Sequence, residues 1–457
     1  MLTLTQQVAA HWSTRKMSDL STEQVGLVRQ RILDLIAAGI AGVHAPETRV
    51  VRDGITAMHG CDLAERGNAV LWGTQLHVPA AQAALVNGTA SHALELDDFD
   101  GCGHTGAVVI PAVFSVAQTC GAGGEQVISA IAAGYDLAGR MLNAAGGYRA
   151  HNGLGWHSTA TCGTFGAALA AAHVLQLDAE KTAHALGIAG TYMGGVWAFM
   201  QDGAMTKRMH PGKAAEAGVV AAYLAQAGMT GPSYILESDW GGFFKTYCSV
   251  HAQPERLLEK MGEFNAIALT GIKPYACCRA SHGAIDAMLL LKKKHGLQAE
   301  DIEHIEVHCP AHTAKLVGGY RVKSTLEAQM SMPYSLAVAA LTGRADLPQF
   351  APPKNESPEV QRLMKAIKLI PDLPAEHTQG PLVRVTCING SCLQEQVEFA
   401  KGHPNNPISD EELHAKAQSL ITPLLGEDRF KAIKEAVLHL HDISDIRTFA
   451  RLLQPAH

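Results

Sequence analysis

The sequence predicts a mainly α protein, with a large all-helical domain formed by the N- and C-terminal segments and a smaller α+β domain inserted between them. Three observations lead there. Aromatic residues make up only 5% of the 457 residues while Gly alone supplies 44, a composition suited to closely packed helices rather than to the aromatic and β-branched faces of a sandwich. Apolar and small residues recur at helical spacing through most of the first 260 positions. Near Leu269 that pattern gives way to strict alternation and a hairpin signal. A chain this long exceeds one compact core, so more than one domain is expected.

Taken in order, "LSTEQVGLVRQRILDLIAAGIAG" opens with Ser21 and Gln24 at capping-box spacing and sets Val25, Val28, Ile32 and Leu35 on one face. "GEQVISAIAAGYDLAGRML", "TFGAALAAAHVLQLD", "KTAHALGIAGTYM" and "KAAEAGVVAAYLAQAG" read as further helices whose small residues let their axes approach closely. Pro111 and Pro211 are expected to open helices, because proline suits the first helical position. Beyond Leu269, "IEHIEVHC" alternates as a half-buried strand, and "PLVRVTCINGSCLQEQVEFA" reads as two strands turning at Asn389-Gly390. "RASHGAIDAMLLLKKKHG" and "EAQMSMPYSLAVAALTG" read as helices, "LPQFAPPKNESPEV" as a loop, and helix resumes at Ser409. The expected division is residues 1–267 plus 401–457 for the helical domain and 268–400 for the α+β insert.

Net charge is −6, which argues against nucleic acid or an anionic membrane as the main partner. No uncharged apolar run reaches about 18 residues, so no membrane span is expected. The first residues lack the basic-then-apolar order of a secretory signal, and a cytoplasmic location follows. The ten Cys include no CxxC pair, which favours reduced, packed thiols over a zinc or iron–sulfur site.

Against that acidic background, "DGAMTKRMHPGKAAEAG" concentrates Lys207, Arg208, His210 and Lys213 just ahead of a small-residue run. Three other stretches share the arrangement. His104 stands before one expected helix, His157 before Ser158 and Thr159 at another, and Arg279, Ser281 and His282 at a third. A helix start presents unpartnered N–H groups and partial positive charge, so cationic side chains there favour an anion. Several such starts converging would make a pocket for a small di- or tricarboxylate. "ELDDFD" supplies Asp97 and Asp98 as carboxylates able to orient a histidine or neutralise Lys207. It is a weak metal signal, lacking any DxDxD or His-x-Asp pattern, and no metal or other cofactor is expected.

The stretches "AAQAALVNGTASHALELDD" (80–98), "GHTGAVVIPA" (103–112), "DGAMTKRMHPGKAAEAGVVAAYLAQAGMTGP" (202–232), "KPYACCRASHGAIDA" (273–287) and "GHPNNPISDEELHAKA" (402–417) resemble, in order, the motifs of the MmgE/PrpD family. That family contains 2-methylcitrate dehydratase, cis-aconitate decarboxylase and iminodisuccinate epimerase. The resemblance implies a homodimer with its active site between a helical domain and a lid, and no metal or cluster. Lys207 matches the family's active-site lysine, His104, His157 and His282 its histidines, and Asp97 and Asp98 its acidic pair. Tyr334 matches a tyrosine position. Arg279, Thr206 and Ser281 are expected to bind substrate carboxylates. The sequence departs from the family pattern at Phe99, where Thr is common, and at His104-Thr105, where His-Pro is common.

The family's activities all make or quench carbanion-like charge beside a carboxylate or imine, which requires aimed donors together with an acid and a base. His157 or Lys207 would move the α-proton, and His104 would protonate a leaving hydroxyl or the carbanion's other face. The leading expectation is a 2-methylcitrate dehydratase-like lyase. An epimerase of a dicarboxylate such as iminodisuccinate is the alternative, then a cis-aconitate decarboxylase. A tricarboxylate-binding protein without turnover is the non-enzymatic alternative.

Overall fold

A computed structural model describes residues 2–59, 67–262, 266–350, 352–377 and 379–456. Helix predominates, and the strands are few and mostly short. The chain divides into two compact units: Met1–Ala93, Asp97–Gly271 and Ser409–His457 form the first, and Leu94–Leu96 with Ile272–Ile408 form the second. The breaks fall at Gly271/Ile272 and Ile408/Ser409, four and eight residues beyond the expected positions, and the three-residue excursion at 94–96 carries no sign in the sequence.

In the first unit, the Thr22–Gly42 helix begins at the expected Ser21–Gln24 capping box, and a second box, Ser409 with Glu412, opens the Asp410–Leu425 helix. Each box satisfies two N–H groups that the helix itself leaves without partners. The centre is a stack of small-residue helices. The Thr206–Gln226 helix packs against Ala80–His92, Ser158–Val174 and Ala179–Tyr192. Its contact with Ala80–His92 runs through glycine on both sides. A Cβ on Gly88 would lie 2.7 Å from the Gly212 Cα, and one on Gly212 would lie 2.1 Å from the Leu85 carbonyl oxygen. Gly134 and Gly166 bring Gly124–Ala144 and Ser158–Val174 together in the same way. The small residues thus let backbones touch where ordinary side chains would hold helix axes 8–10 Å apart.

Pro111 and Pro211 lie inside their helices, which start earlier, at Thr105 and Thr206. The expectation that they open those helices is corrected. Each lies beyond the first turn, so each helix forgoes one i→i−4 hydrogen bond, from position 111 to the Ala107 carbonyl and from position 211 to the Lys207 carbonyl.

The second unit carries a four-stranded sheet in the order Ile367–Leu373, Ile302–Pro310, Leu382–Cys387, Cys392–Glu395; the first pair is parallel and the others antiparallel. Ile305, Val307, Val383 and Val385 are buried, as the alternation requires. The hairpin turns where expected, with Gly390 at φ 83° and its N–H donating to the Cys387 carbonyl. The His282–His295 helix packs on the last two strands and on the Met332–Thr342 helix. Two readings are corrected here. "EAQMSMPYSLAVAALTG" is two helices, Thr325–Gln329 and Met332–Thr342, separated where Ser331 caps the second with Pro333 in its first turn. The expected loop at 347–360 contains the short Leu347–Phe350 helix and the start of Pro358–Ala366.

Among the described residues, no helix is long and apolar enough to cross a membrane. The nine described cysteines are free thiols.

Candidate functional site

Four helix ends of the first unit bring ionisable side chains into one buried string. His92 is the last residue of Ala80–His92, His104 is the N-cap of Thr105–Cys120, and His157 is the N-cap of Ser158–Val174. Lys207, Arg208 and His210 lie in the first two turns of Thr206–Gln226. Neither capping histidine spends its side chain on the helix it caps. The loop before His104 is tight enough to need three positive-φ residues, Asp100, Gly101 and Gly103, and a Cβ on Gly103 would meet the Thr159 hydroxyl at 2.5 Å. That close approach sets the two helix starts side by side.

The string runs as follows. His92 Nδ1 lies 3.1 Å from both Asp97 carboxylate oxygens, and His104 Nδ1 lies 2.8 Å from Asp97 Oδ2. The rings of His104 and His157 are 6.2 Å apart. His157 Nδ1 then meets His210 Nδ1 at 2.9 Å, so one ring carries its proton on Nδ1 and the other on Nε2. Trp197 and Phe199 cover His157 at ring distances of 5.2 and 5.8 Å. Arg208 donates to the His92 carbonyl at 3.3 Å. Lys207 is 5% exposed and acts electrostatically on His92, His157 and His210. His104, at 15% side-chain exposure, is the most open member.

Burial, then His210, His104 and Lys207, hold the His157 imidazole well below its ordinary pKa. Burial and then Lys207 push His210 down to about 4. Burial also drives His92 well down, against the attraction of Asp97. In each case taking three or four neighbouring imidazoles out of water beside an ammonium disfavours their charged forms. The free site at neutral pH therefore holds a buried lysine beside neutral imidazoles, with the Asp97 carboxylate backing His92 and His104. Such a set can accept a proton, hold another and stabilise added negative charge.

The acidic pair is split. Asp98 accepts hydrogen bonds from Gly106 N–H at 2.9 and 3.1 Å and from the Tyr135 hydroxyl at 2.8 Å, so it caps the helix that begins at Thr105. Burial, and then the neighbouring Asp97 charge, raise its pKa to about 7. Its oxygens thus serve the helix start, whereas those of Asp97 face the histidines. Thr206 is the exposed first residue of its helix.

His92 Nδ1, an Asp97 oxygen and His104 Nδ1 lie within 4.8 Å of one another, close enough to consider a metal. The spacing argues for direct contact instead. Bonds of about 2.0–2.2 Å to a tetrahedral ion would hold ligand atoms roughly 3.3–3.5 Å apart, whereas the histidine–carboxylate separations are 2.8 and 3.1 Å.

The remaining expected residues belong to the second unit. Arg279–Ser281 form one 3₁₀ turn leading into the His282–His295 helix. His282 Nε2–H donates to the Cys277 carbonyl at 3.2 Å, and burial, then Arg279 and Lys273, hold its ring well below the ordinary pKa. Ser281 is buried beside it, and Arg279 is half-buried. Tyr334 is a packing strut: its buried hydroxyl donates to the Gln349 carbonyl at 2.6 Å and accepts from Lys354 N–H at 2.7 Å.

Sequence reasoning left His92 without a role and gave His210 only the role of crowding Lys207. His92 precedes Asp97 by five positions, and only the turn between them brings ring and carboxylate together. The His210 ring reaches His157 across 53 positions.

A helical body that gathers a lysine, four histidines and an aspartate at its helix ends carries the residue types of acid–base chemistry. Family comparison gives that set its place: residues 6–255 match the MmgE/PrpD N-terminal domain and residues 275–442 the MmgE/PrpD C-terminal domain. The chain belongs to the MmgE/PrpD family. It is 27% identical to the cis-aconitate decarboxylase-like protein oryM of Aspergillus oryzae, over 97% of this chain and 96% of that protein. It is 28% identical to a cis-aconitate decarboxylase of Aspergillus terreus, over 97% and 94%. With the cis-aconitate decarboxylase of Homo sapiens it shares 25% identity, over 96% and 92%.

Proposed function

We propose that this protein is a lyase that creates carbanion character beside a carboxylate of a small di- or tricarboxylate. The observation that carries the reading is the buried string Asp97–His104–His157–His210 with Lys207 in its field. In the free protein, burial and the nearby Lys207 disfavour the charged forms of His157 and His210. A bound polyanion supplies negative charge and raises the proton affinity of the histidines around it.

In the dehydrating direction, His157 or Lys207 takes the α-proton, the C–H pair becomes the new double bond, and His104, backed by Asp97, gives its proton to the departing hydroxyl, which leaves as water. Family membership and the acid-plus-base pairing support this reading. The names of the relatives support a second. In decarboxylation the bond to one carboxylate breaks, carbon dioxide leaves, and the electron pair stays on carbon until His104 or Lys207 protonates it. Both need the same fixed positive field and the same acid.

The test is proton NMR in heavy water with 2-methylcitrate, citrate, cis-aconitate, tartrate and iminodisuccinate. A lyase forms or consumes an alkene, or releases carbon dioxide with deuterium at the vacated carbon. Exchange of the α-proton with no change of skeleton would identify an epimerase. Ligand-induced thermal stabilisation without turnover across the panel would identify a binding protein and overturn the proposal.

A further inference from the structure

Between His92 and Asp97 the chain leaves the first unit for three residues, Leu94–Leu96, which belong to the second. Two side chains from distant parts of that second unit hold them. Lys273 Nζ meets Glu95 Oε2 at 2.8 Å, with side-chain exposures of 1% and 2%. Gln329 Nε2 donates to the Leu94 carbonyl at 2.7 Å, and Gln329 is itself fully buried. Glu95 also has φ 55°, the left-handed region that a non-glycine residue enters at a cost. Two residues further on, Asp97 contacts His92 and His104.

A buried ion pair is a poor device for stability, because desolvating both charges offsets their attraction and an apolar pair of the same volume serves as well or better. Glu95–Lys273 adds a strained backbone to that cost. What such a pair supplies is direction: each charge accepts few positions for its partner, so the backbone carrying Glu95 is fixed in place and in sense. The strained φ is what turns the chain so that a carboxylate five positions beyond His92 comes back to its ring.

We propose that Lys273 and Gln329 are positioning residues, and that their grip on Leu94 and Glu95 sets the Asp97 carboxylate against the Nδ1 atoms of His92 and His104. This rests on the acid–base reading above for its effect on turnover, but its structural claim stands apart from that reading. Loosening the grip frees Asp97: the His92 ring, no longer held by a carboxylate on Nδ1, relaxes toward the solvent mixture of tautomers, and His104 loses the carboxylate 2.8 Å from its Nδ1.

The experiment uses the full-length protein labelled with ¹⁵N at histidine, with the His92 and His104 signals assigned from His92→Asn and His104→Asn variants. Lys273→Met, Gln329→Leu, Lys273→Arg and the double variant Glu95→Leu/Lys273→Met are compared by imidazole ¹⁵N shifts, kcat, KM and the pH profile of kcat. Lys273→Met leaves a buried carboxylate alone and can fail to fold; the double variant, neutral and of similar volume, then decides. Expected are moved His92 and His104 ring shifts, kcat down about ten- to a hundredfold, KM within about threefold, a displaced limb in the pH profile, and substantial rescue by Lys273→Arg. Folded Gln329→Leu and double variants that keep native ring shifts and kcat within twofold of the parent would overturn the proposal. Moved ring shifts in a protein that turns over none of the polycarboxylates uphold the positioning role and count against the lyase reading instead.

Discussion

At the scale of single residues, the proposed acid–base role divides Asp97 from Asp98, which the sequence presents as an undifferentiated pair. Asp97→Asn removes the carboxylate that meets His92 and His104, and turnover is expected to fall by about a hundredfold or more, the scale of a misoriented acid–base histidine. Asp98→Asn is expected to leave turnover near native and to change stability instead. The Asp98 pKa rises from 3.8 to about 7 on folding, so its stabilising, protonated form is fully present below 3.8 and lost as pH rises through 7. That loss amounts to about 4 kcal/mol. The variant lacks it, so its urea midpoint should gain on the parent's as pH rises from 4 to 8. Lys207→Ala should cost at least about a hundredfold in kcat. It should also raise the histidine titrations, because Lys207 lowers His92, His157 and His210. Near-native turnover in a folded Lys207→Ala protein would remove it from the mechanism. Lys207, His157, His104 and Asp97 were legible because each stands at a helix start or in a charged run out of keeping with its surroundings. His92 was not, since a histidine at the end of a small-residue helix looks like a packed one.

At the scale of elements, the site is the by-product of how closely helices approach. Gly88 against Gly212 fixes the crossing of Ala80–His92 and Thr206–Gln226, and so the separation of His92 from Lys207. Gly212→Ala would set a methyl 2.1 Å from the Leu85 carbonyl, a rigid backbone atom. The helices must part, with a destabilisation of about 1–3 kcal/mol or more and a fall in kcat that a surface Gly→Ala control, Gly54→Ala, with open space around it, does not show. Denaturant midpoints and kcat measured together check it. Close packing was readable from composition, but its register was not: small residues say that helices can touch, not where. The same limit explains the prolines. Pro111 and Pro211 were read by the residue's commonest helical position, while packing lets these helices begin six and five residues earlier. The Ile367–Leu373 strand escaped notice because it lies at the sheet edge and contains Pro371, a residue that counts against a strand in any central position.

At the scale of the molecule, the change of periodicity near Leu269 lies close to the Gly271/Ile272 break between the two units. The three residues lent to the second unit could not be read from the sequence, because no composition signal is carried by so short a segment. Global pH behaviour follows from the buried histidines. His92, His157 and His282 are held well below 6.5, and His151 and His210 at about 4. A depressed histidine favours the folded state above pH 6.5, and that contribution is lost as pH falls toward the folded-state value. A shift from 6.5 to about 4 amounts to about 3 kcal/mol per group. Raised carboxylates such as Asp98 oppose this over the same interval, but fewer are involved near the site. Stability by urea denaturation should therefore drop steeply between pH 6.5 and 4.

The same protons report on ligand binding. A polycarboxylate seated beside His157, His210 and Lys207 adds negative charge where burial and a neighbouring ammonium now suppress protonation, so the pKa values of these imidazoles must rise in the complex. A group whose pKa rises on binding takes up protons wherever the pH lies between its free and bound values. Near pH 6, between the depressed free values and the ordinary histidine range, binding of cis-aconitate or 2-methylcitrate should draw about one proton or more from solution. Calorimetric titration in buffers of different ionisation enthalpy measures that number directly. Uptake should shrink in His210→Asn, which removes one of the titrating rings, and it should fade above pH 8, where even raised histidines stay neutral. Binding with no uptake at pH 6 would mean that the anion sits away from these histidines, and the proposed chemistry would then lack its proton carriers.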